Sequence, residues 1–237
     1  MTDNELSLRV VRRLLLFLFS HRLLAIARWD IYFLLLRCKN LITFQRARII
    51  RFLRQRETPT FLNLGSGPRG LTDPNWINVD GFRDRNVHFL IDFRRPLPFP
   101  DACFSGVFCE HVLEHFTLGD GEKLMREVRR VLVDGGVVRL VVPDAERIIK
   151  TYCENPDELA SRRGEANVLA MVVVNSYFRQ RYEHQFLYDW KSLEQMLRRA
   201  GFQRIIRSAS GERGRLPAIV LDDPKYAWES LYAEAER

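Results

Sequence analysis

The chain has 237 residues, 37 Lys+Arg against 30 Asp+Glu, and 46% hydrophobic residues. That is enough apolar material to bury a full core as one domain with an appendage, and it excludes a disordered tail or a fibrous repeat. Four cysteines (Cys38, Cys103, Cys109, Cys153) occur without a CxxC pair, which reads as a reduced, cytoplasmic chain with buried thiols and neither a disulfide framework nor a structural zinc site. The net charge of +7 points to an anionic partner and is unevenly spread: residues 1–58 carry 12 Lys+Arg and 4 Asp+Glu, a net of +8, and residues 59–237 are close to neutral. Two differently built parts therefore meet near Pro59, a basic extension over 1–58 and a main domain over 59–237.

Residues 6–56 contain no Pro or Gly and alternate apolar clusters (Leu14 to Phe19, Ile31 to Leu36, Ile49–Ile50 with Phe52–Leu53) with single arginines. The pattern predicts three helices, with breaks near Ser20–His21 and Asn40. No uncharged stretch approaches the ~20 apolar residues that a spanning helix needs. Arg12–Arg13, the run Leu14–Phe19 and Ala25-Ile26-Ala27 imitate the regions of a signal peptide. His21 and Arg22 interrupt the apolar part, and the basic character continues beyond it, so a cleaved leader is not expected. Arg46, Arg48, Arg51 and Arg54 fall on or beside one helical surface, with Ile42, Ile49, Ile50 and Leu53 available to an apolar stripe. Three roles fit, in this order: packing on the main domain with the arginines solvated, peripheral contact with an anionic membrane surface, and contact with RNA, for which the stretch lacks a Gly-rich or RNP-like signature.

From Thr60 onward, short β-branched or apolar runs alternate with helical segments, the signature of an α/β sheet with crossover helices. The candidate strands are Phe61–Leu64, Trp76–Asp80, His88–Ile91, Gly106–Glu110, Val137–Val142, Arg204–Ser208 and Ser230–Glu234. The first runs into glycines at 65, 67 and 70, a GxGxxG spacing that lets backbone approach a ligand closely. Pro68 and Pro74 leave little room for a helix that would hold a pyrophosphate. The second strand ends in Asp80, followed at once by Gly81, and a carboxylate there can take both hydroxyls of a ribose. The loop suits a nucleoside without a diphosphate.

Several blocks in order resemble the class I S-adenosylmethionine-dependent methyltransferases, and specifically the type-11 methyltransferase domain. They are Phe61-Leu62-Asn63-Leu64-Gly65-Ser66-Gly67, then Trp76-Ile77-Asn78-Val79-Asp80, then Ile91-Asp92-Phe93 with Leu97-Pro98-Phe99-Pro100-Asp101. Phe104 to Phe116, with Glu110-His111-Val112-Leu113-Glu114-His115, and Glu127 to Leu132 with Gly135-Gly136 complete the series. The resemblance implies a Rossmann-like seven-stranded methyltransferase sheet with a helical N-terminal extension, and S-adenosylmethionine as cofactor. It also implies that Gly65, Ser66 and Gly67 face the methionine part and that Asp80, with Gly81 beside it, holds the ribose. Asp92 would accept from the adenine amino group while the Phe93 backbone addresses the ring, and Glu110 and His111 would lie near the sulfonium. Many family members carry an acid where this chain has Asn63, which can still accept a hydrogen bond from the methionine ammonium but loses the charge pairing.

Methyl transfer from a sulfonium is an in-line displacement, so the protein mostly aligns reactants and excludes water. An alcohol acceptor profits from a base, and the chain has only five histidines. His184, within Tyr182-Glu183-His184-Gln185-Phe186-Leu187-Tyr188-Asp189, lies in a long connection over 151–190, with a helix expected from Glu158 to Ala170. A connection of that length at the ligand edge suits a lid or acceptor pocket. The catalytic candidates are His184 as general base and His111, with Tyr182 and Tyr188 shaping the acceptor site; alternatively His184 caps the next helix or packs the lid. His111 and His115, four apart on an expected helix face, have a spacing able to bind a metal. The resemblance accounts for that pattern as closure of the cofactor pocket, and no metal is expected.

The reading is a cytoplasmic methyltransferase acting on a small-molecule, sugar or lipid-linked saccharide acceptor, on oxygen. The alternatives are an RNA or protein methyltransferase using the basic helices, a noncatalytic cofactor-binding module, and, more distantly, an NAD-dependent oxidoreductase.

Overall fold

The computed structural model describes residues 21–56, 60–162, 168–180 and 183–237, with side chains from residue 27 onward. The helix expected before residue 20 lies outside them, as does Tyr182. The chain divides into a unit ending at Gln45 and a larger one, Arg46–Arg237. Within the first, α1 (His21–Ile42) runs unbroken past Asn40, where the sequence suggested a break. It ends instead where the Thr43 hydroxyl donates to Lys39 O at 2.9 Å and Phe44 turns left-handed at φ +49°. Among the described residues no helix is long and apolar enough to cross a membrane.

The larger unit begins thirteen residues before the junction the sequence suggested at Pro59, because α2 (Gln45–Arg54) belongs to its core. Ile49 is fully buried there and Phe52 and Leu53 pack beside it, leaving the arginines on the outer face. Ile42, expected in the same stripe, sits on α1 and is exposed.

Seven strands form one sheet: β1 (Phe61–Leu64), β2 (Trp76–Asp80), β3 (Phe89–Leu90), β4 (Phe104–Glu110), β5 (Leu132–Pro143), β6 (Arg204–Ser208) and β7 (Ser230–Glu236). Their order is β3-β2-β1-β4-β5-β7-β6, parallel except for β7, which runs antiparallel to both neighbours. The alternating pattern implies such an α/β sheet, and the resemblance implies its seven strands in a Rossmann-like arrangement. β4 and β5 extend beyond their expected limits because Phe104 and Leu132 pair and are both fully buried.

Strand alternation gives the sheet two faces. One carries Leu62, Leu64, Ile77, Val79, Val107, Val138, Leu140 and Ala233, and packs under α2, α3 (Leu118–Val131) and α7 (Trp190–Arg199). Both of the latter helices start on side-chain caps. Thr117 accepts from Asp120 N–H, and Asp189 forms a reciprocal capping box with Ser192.

The other face carries Phe61, Trp76, Phe108, Val137, Val141 and Tyr232. Crossover helices usually cover such a face, but only eleven residues separate β1 from β2, and they hold a single 3-10 turn, Gly67–Arg69. The cover comes from the connection 209–229 between β6 and β7, which lays Leu216, Ile219 and Leu221 on this face. Gly106 makes room for it, since a Cβ there would stand 2.6 Å from Ile219 and 2.8 Å from Leu216. Fully buried Arg139 of β5 anchors the strap. All five of its N–H groups are used, on Asp222 (twice), Glu234, Ser208 Oγ and the Ala209 carbonyl.

The long connection after β5 holds α4 (Ala145–Glu154), α5 (Pro156–Ser161) and α6 (Ala170–Arg179). Ile148, Leu159, Val173 and Tyr177 form a small core of their own. The helix expected over Glu158–Ala170 is not one helix: α5 starts two residues earlier, where Pro156 and the Asn155 cap set it, and Val168–Leu169 are non-helical. Cysteine burial also differs from expectation. Cys109 is buried and Cys103 half-buried, but Cys38 and Cys153 lie on exposed helix positions.

His88 carries a pH dependence. Its Nδ1 accepts the Asn78 backbone N–H at 2.9 Å, which requires the neutral ring, and burial together with the Arg56 charge lowers its pKa. The unfolded chain, with its histidines near pH 6.5, therefore takes up protons first. This stabilisation is complete above the unfolded value and is lost as the pH falls below it. Melting temperatures of the wild type should drop between pH 7 and pH 5, and His88→Gln should show a shallower drop.

Candidate active site

Three loops meet at the C-terminal edge of the parallel strands. In the first, Gly65 has φ +76°, and a Cβ on it would lie 2.1 Å from Val112 Cγ2. Only glycine lets the loop after β1 pass under the turn after β4. Two residues on, Gly67 N–H donates to Asp80 Oδ2 at 2.8 Å, and Phe82 N–H donates to Asp80 Oδ1 at 2.8 Å. Asp80 thus joins the loops after β1 and β2 while each oxygen keeps a lone pair, and Gly81 beside it is buried. Ser66 Oγ is buried without a hydrogen-bond partner. Asp92 is buried and accepts from Arg94 Nε at 2.9 Å and from the Arg94 backbone at 3.1 Å, with Phe93 buried behind it.

Asn63 donates through Nδ2 to Asn78 Oδ1 at 3.2 Å. Asn78, fully buried, donates in turn to the carbonyls of Leu71 and Asn86 and accepts from Leu71 N–H. This amide network fixes the short β1–β2 connection in place of a helix, and it leaves Asn63 Oδ1 as the side chain's acceptor.

Glu110, at the end of β4, pairs with Arg69 from the glycine loop and accepts from Asp223 N–H at 3.1 Å. Arg69 also meets Asp223 Oδ2 at 3.2 Å, so loop, strand and strap are tied at one point. His111 follows with φ +52°, and the segment continues as a 3-10 turn, Leu113–His115, instead of the helix expected for His111 and His115. The two imidazoles therefore point to different partners. His111 has both nitrogens engaged, Nδ1 with Glu114 Oε1 at 3.1 Å and Nε2 with Ser230 Oγ at 3.2 Å, and its ring lies against Tyr226 at 4.4 Å.

His115 lies 5.0 Å, ring to ring, from His184. Backbone bonds bring them together: Gln185 N–H and Phe186 N–H both donate to the Glu114 carbonyl, and Gln185 Nε2 donates to the His115 carbonyl. His184 Nδ1 meets the Tyr177 carbonyl at 2.5 Å. A carbonyl only accepts, so Nδ1 carries the proton and Nε2 a lone pair. Burial lowers the His184 pKa and favours the neutral ring. Glu114 is fully buried; burial alone would raise its pKa, but the hydrogen bond from His111 and the neighbouring imidazoles outweigh that and hold it below the usual carboxylate range.

Tyr188 differs from the acceptor-wall role expected of it. It is fully buried in the main core, against Phe186 and beside Gly121, and its Ala145–Tyr188 backbone bond fastens the lid to the end of β5. Burial and the Glu114 charge push its phenol pKa upward. Arg69, Asp223 and Tyr226 were given no role from the sequence, and for the last two the reason is that the strap has no periodicity that would show which strand ends it crosses.

An orphaned buried hydroxyl, a carboxylate with spare lone pairs at a strand end and a loop only glycine can form fit an adenosyl ligand bearing a ribose diol and an amino-acid group. Comparison with family models matches residues 40–206 to a methyltransferase domain. No curated protein matches the chain. Among solved structures, a SAM-dependent methyltransferase of Thermotoga maritima is 15% identical over 89% of this chain and 95% of its own, with a TM-score of 0.46. One from Archaeoglobus fulgidus is 13% identical over 84% of this chain and 94% of its own, with a TM-score of 0.44. A Nostoc punctiforme chain described as an O-methyltransferase is 14% identical with a TM-score of 0.45, and this chain spans 61% of its length. Likenesses this distant carry no substrate across. The family match covers well over half of the residues, and on it the chain belongs to the methyltransferase domain family, with S-adenosylmethionine as its cofactor.

Proposed function

We propose that this methyltransferase acts on a hydroxyl oxygen of a small-molecule, sugar or lipid-linked saccharide acceptor. The observation that carries the reading is His184, neutral, with its Nδ1–H on the Tyr177 carbonyl and its Nε2 lone pair uncommitted beside the C-terminal edge of β4. A neutral imidazole so oriented takes the proton of an alcohol, which an amine or thiolate acceptor does not require. Bound S-adenosylmethionine supplies an activated methyl group on a sulfonium. In this reading Asp80 accepts from the ribose hydroxyls, and Ser66 with the Gly65–Gly67 backbone meets the methionine part. Asp92 and Phe93 address the adenine, and Asn63 Oδ1 accepts from the ammonium. Glu110 and His111 frame the sulfonium side, and Tyr182 stays a candidate contact for the acceptor.

The described part of α1 exposes Ile31, Leu34, Leu35, Leu41 and Ile42 alongside exposed Lys39. That supports peripheral contact with an anionic membrane, where a lipid-linked acceptor resides.

The test is transfer of a labelled methyl group to panels of phenolic, sugar and lipid-linked saccharide acceptors, with amines, thiols and RNA in parallel. Turnover on hydroxyl acceptors, lowered about 10²-fold or more in His184→Gln with S-adenosylhomocysteine binding retained, is expected. Turnover on amines, thiols or RNA alone overturns the reading.

A further inference from the structure

We infer that Glu114, His115 and His184 form a site for one divalent transition-metal ion on the acceptor side. One carboxylate oxygen of Glu114 and one ring nitrogen from each histidine lie within 4.8 Å of one another. Donors around an ion with bonds of about 2.0–2.2 Å stand roughly 3–4 Å apart, so small side-chain rotations bring the three donors onto one ion.

Two independent observations point to a ligand here. First, Glu114 is fully buried. Its Oε1 is taken by His111, and its Oε2 has no hydrogen-bond partner. A buried carboxylate oxygen left without a partner is costly, and a cation at this cluster removes the cost. Second, both imidazoles are oriented by carbonyls through Nδ1, His184 by Tyr177 and His115 by Glu183 at 3.3 Å. That fixes the tautomer and leaves Nε2 as the lone-pair nitrogen of each ring, which is how protein carbonyls prepare metal-ligating histidines. His111, bonded to Glu114 Oε1, orients the carboxylate in the same way.

Two imidazoles and one carboxylate select zinc, iron, cobalt, nickel or manganese over magnesium and calcium, which favour all-oxygen shells. The partial exposure of both histidines leaves room for further ligands on the open side. Use of the ion in catalysis rests on the oxygen-acceptor reading above, with the ion replacing His184 as the group that activates the hydroxyl; binding of the ion does not. In such a reaction the ion lowers the pKa of the acceptor hydroxyl, and the proton leaves to water. The carbon–oxygen bond forms as the carbon–sulfur bond breaks with its electron pair to sulfur, giving a methyl ether and a thioether.

The experiment is titration of chelator-stripped full-length protein with Co2+, read by its visible d–d absorption and by calorimetry, in the absence of S-adenosylmethionine. One Co2+ per chain is expected, displaced by Zn2+. Glu114→Gln, His115→Ala and His184→Ala should each weaken binding at least tenfold, while S-adenosylhomocysteine still raises the melting temperature of the two histidine variants, which shows that they are folded. Absence of one-to-one binding, or binding that ignores all three substitutions, overturns the site. Hydroxyl methylation that depends on His184 in a protein binding no Co2+ overturns the metal and leaves the base; Co2+ held by the three residues without hydroxyl methylation upholds the site and removes the oxygen-acceptor reading.

Discussion

Replacing Arg139 by Met should destabilise the protein by about 3–5 kcal/mol, because removing one member of a buried ionic cluster strands the others. Asp222 and Glu234, each with only 1% side-chain exposure, would lose their countercharge. The Ala209 carbonyl and Ser208 Oγ would lose a donor as well. The loss reaches the active-site edge: Asp222 and Asp223 are adjacent, and Asp223 carries the contacts to Glu110 and Arg69. For a domain of this size the melting temperature should fall on the order of 10 °C. The triple variant Arg139→Met, Asp222→Asn, Glu234→Gln should recover part of the loss, since it leaves no uncompensated charge. Denaturant unfolding of the three proteins checks both statements, and an Arg139→Met midpoint equal to wild type would show that the strap is held by its apolar residues alone.

Asp80→Ala should abolish stabilisation by the cofactor product. At 100 times its dissociation constant, S-adenosylhomocysteine should stabilise the wild type by about 2.7 kcal/mol. The variant lacks the acceptor assigned to the ribose diol and should show almost none of this. It should also be less stable without ligand by about 1–3 kcal/mol, because Gly67 N–H and Phe82 N–H lose their acceptor. The two effects separate cleanly: the first is the ligand-dependent shift, the second the difference between ligand-free proteins. A full ligand shift in Asp80→Ala would move the ribose to another residue. NAD, run in parallel, should shift neither protein.

The strands were legible because short apolar, β-branched runs bounded by turn residues are a local code. Phe61–Leu64, Trp76–Asp80 and Arg204–Ser208 fall where alternation and flanking Gly, Pro and Asp put them. The glycine loop and Asp80 were legible for a similar reason: a left-handed turn demands glycine, and a strand-end carboxylate stands within a few residues of it. The basic N-terminal stretch misled at its boundary, since helical periodicity shows which face of α2 is apolar but not which core receives Ile49.

What the sequence by itself determined is the α/β class, the strand set, the glycine loop and the family. Tertiary structure alone decided the rest. The strap over the second face is held by Arg139 reaching Asp222 across 83 residues. Tyr188 went into the core, and His111 turned away from His115 on a single positive φ. Glu114 and His115 meet His184 only because backbone bonds near residues 114 and 185 join segments some 70 residues apart. Local periodicity reports whether a side chain faces in or out; it holds no information on which distant segment closes over it, because that depends on packing and on satisfying buried charges across the whole domain.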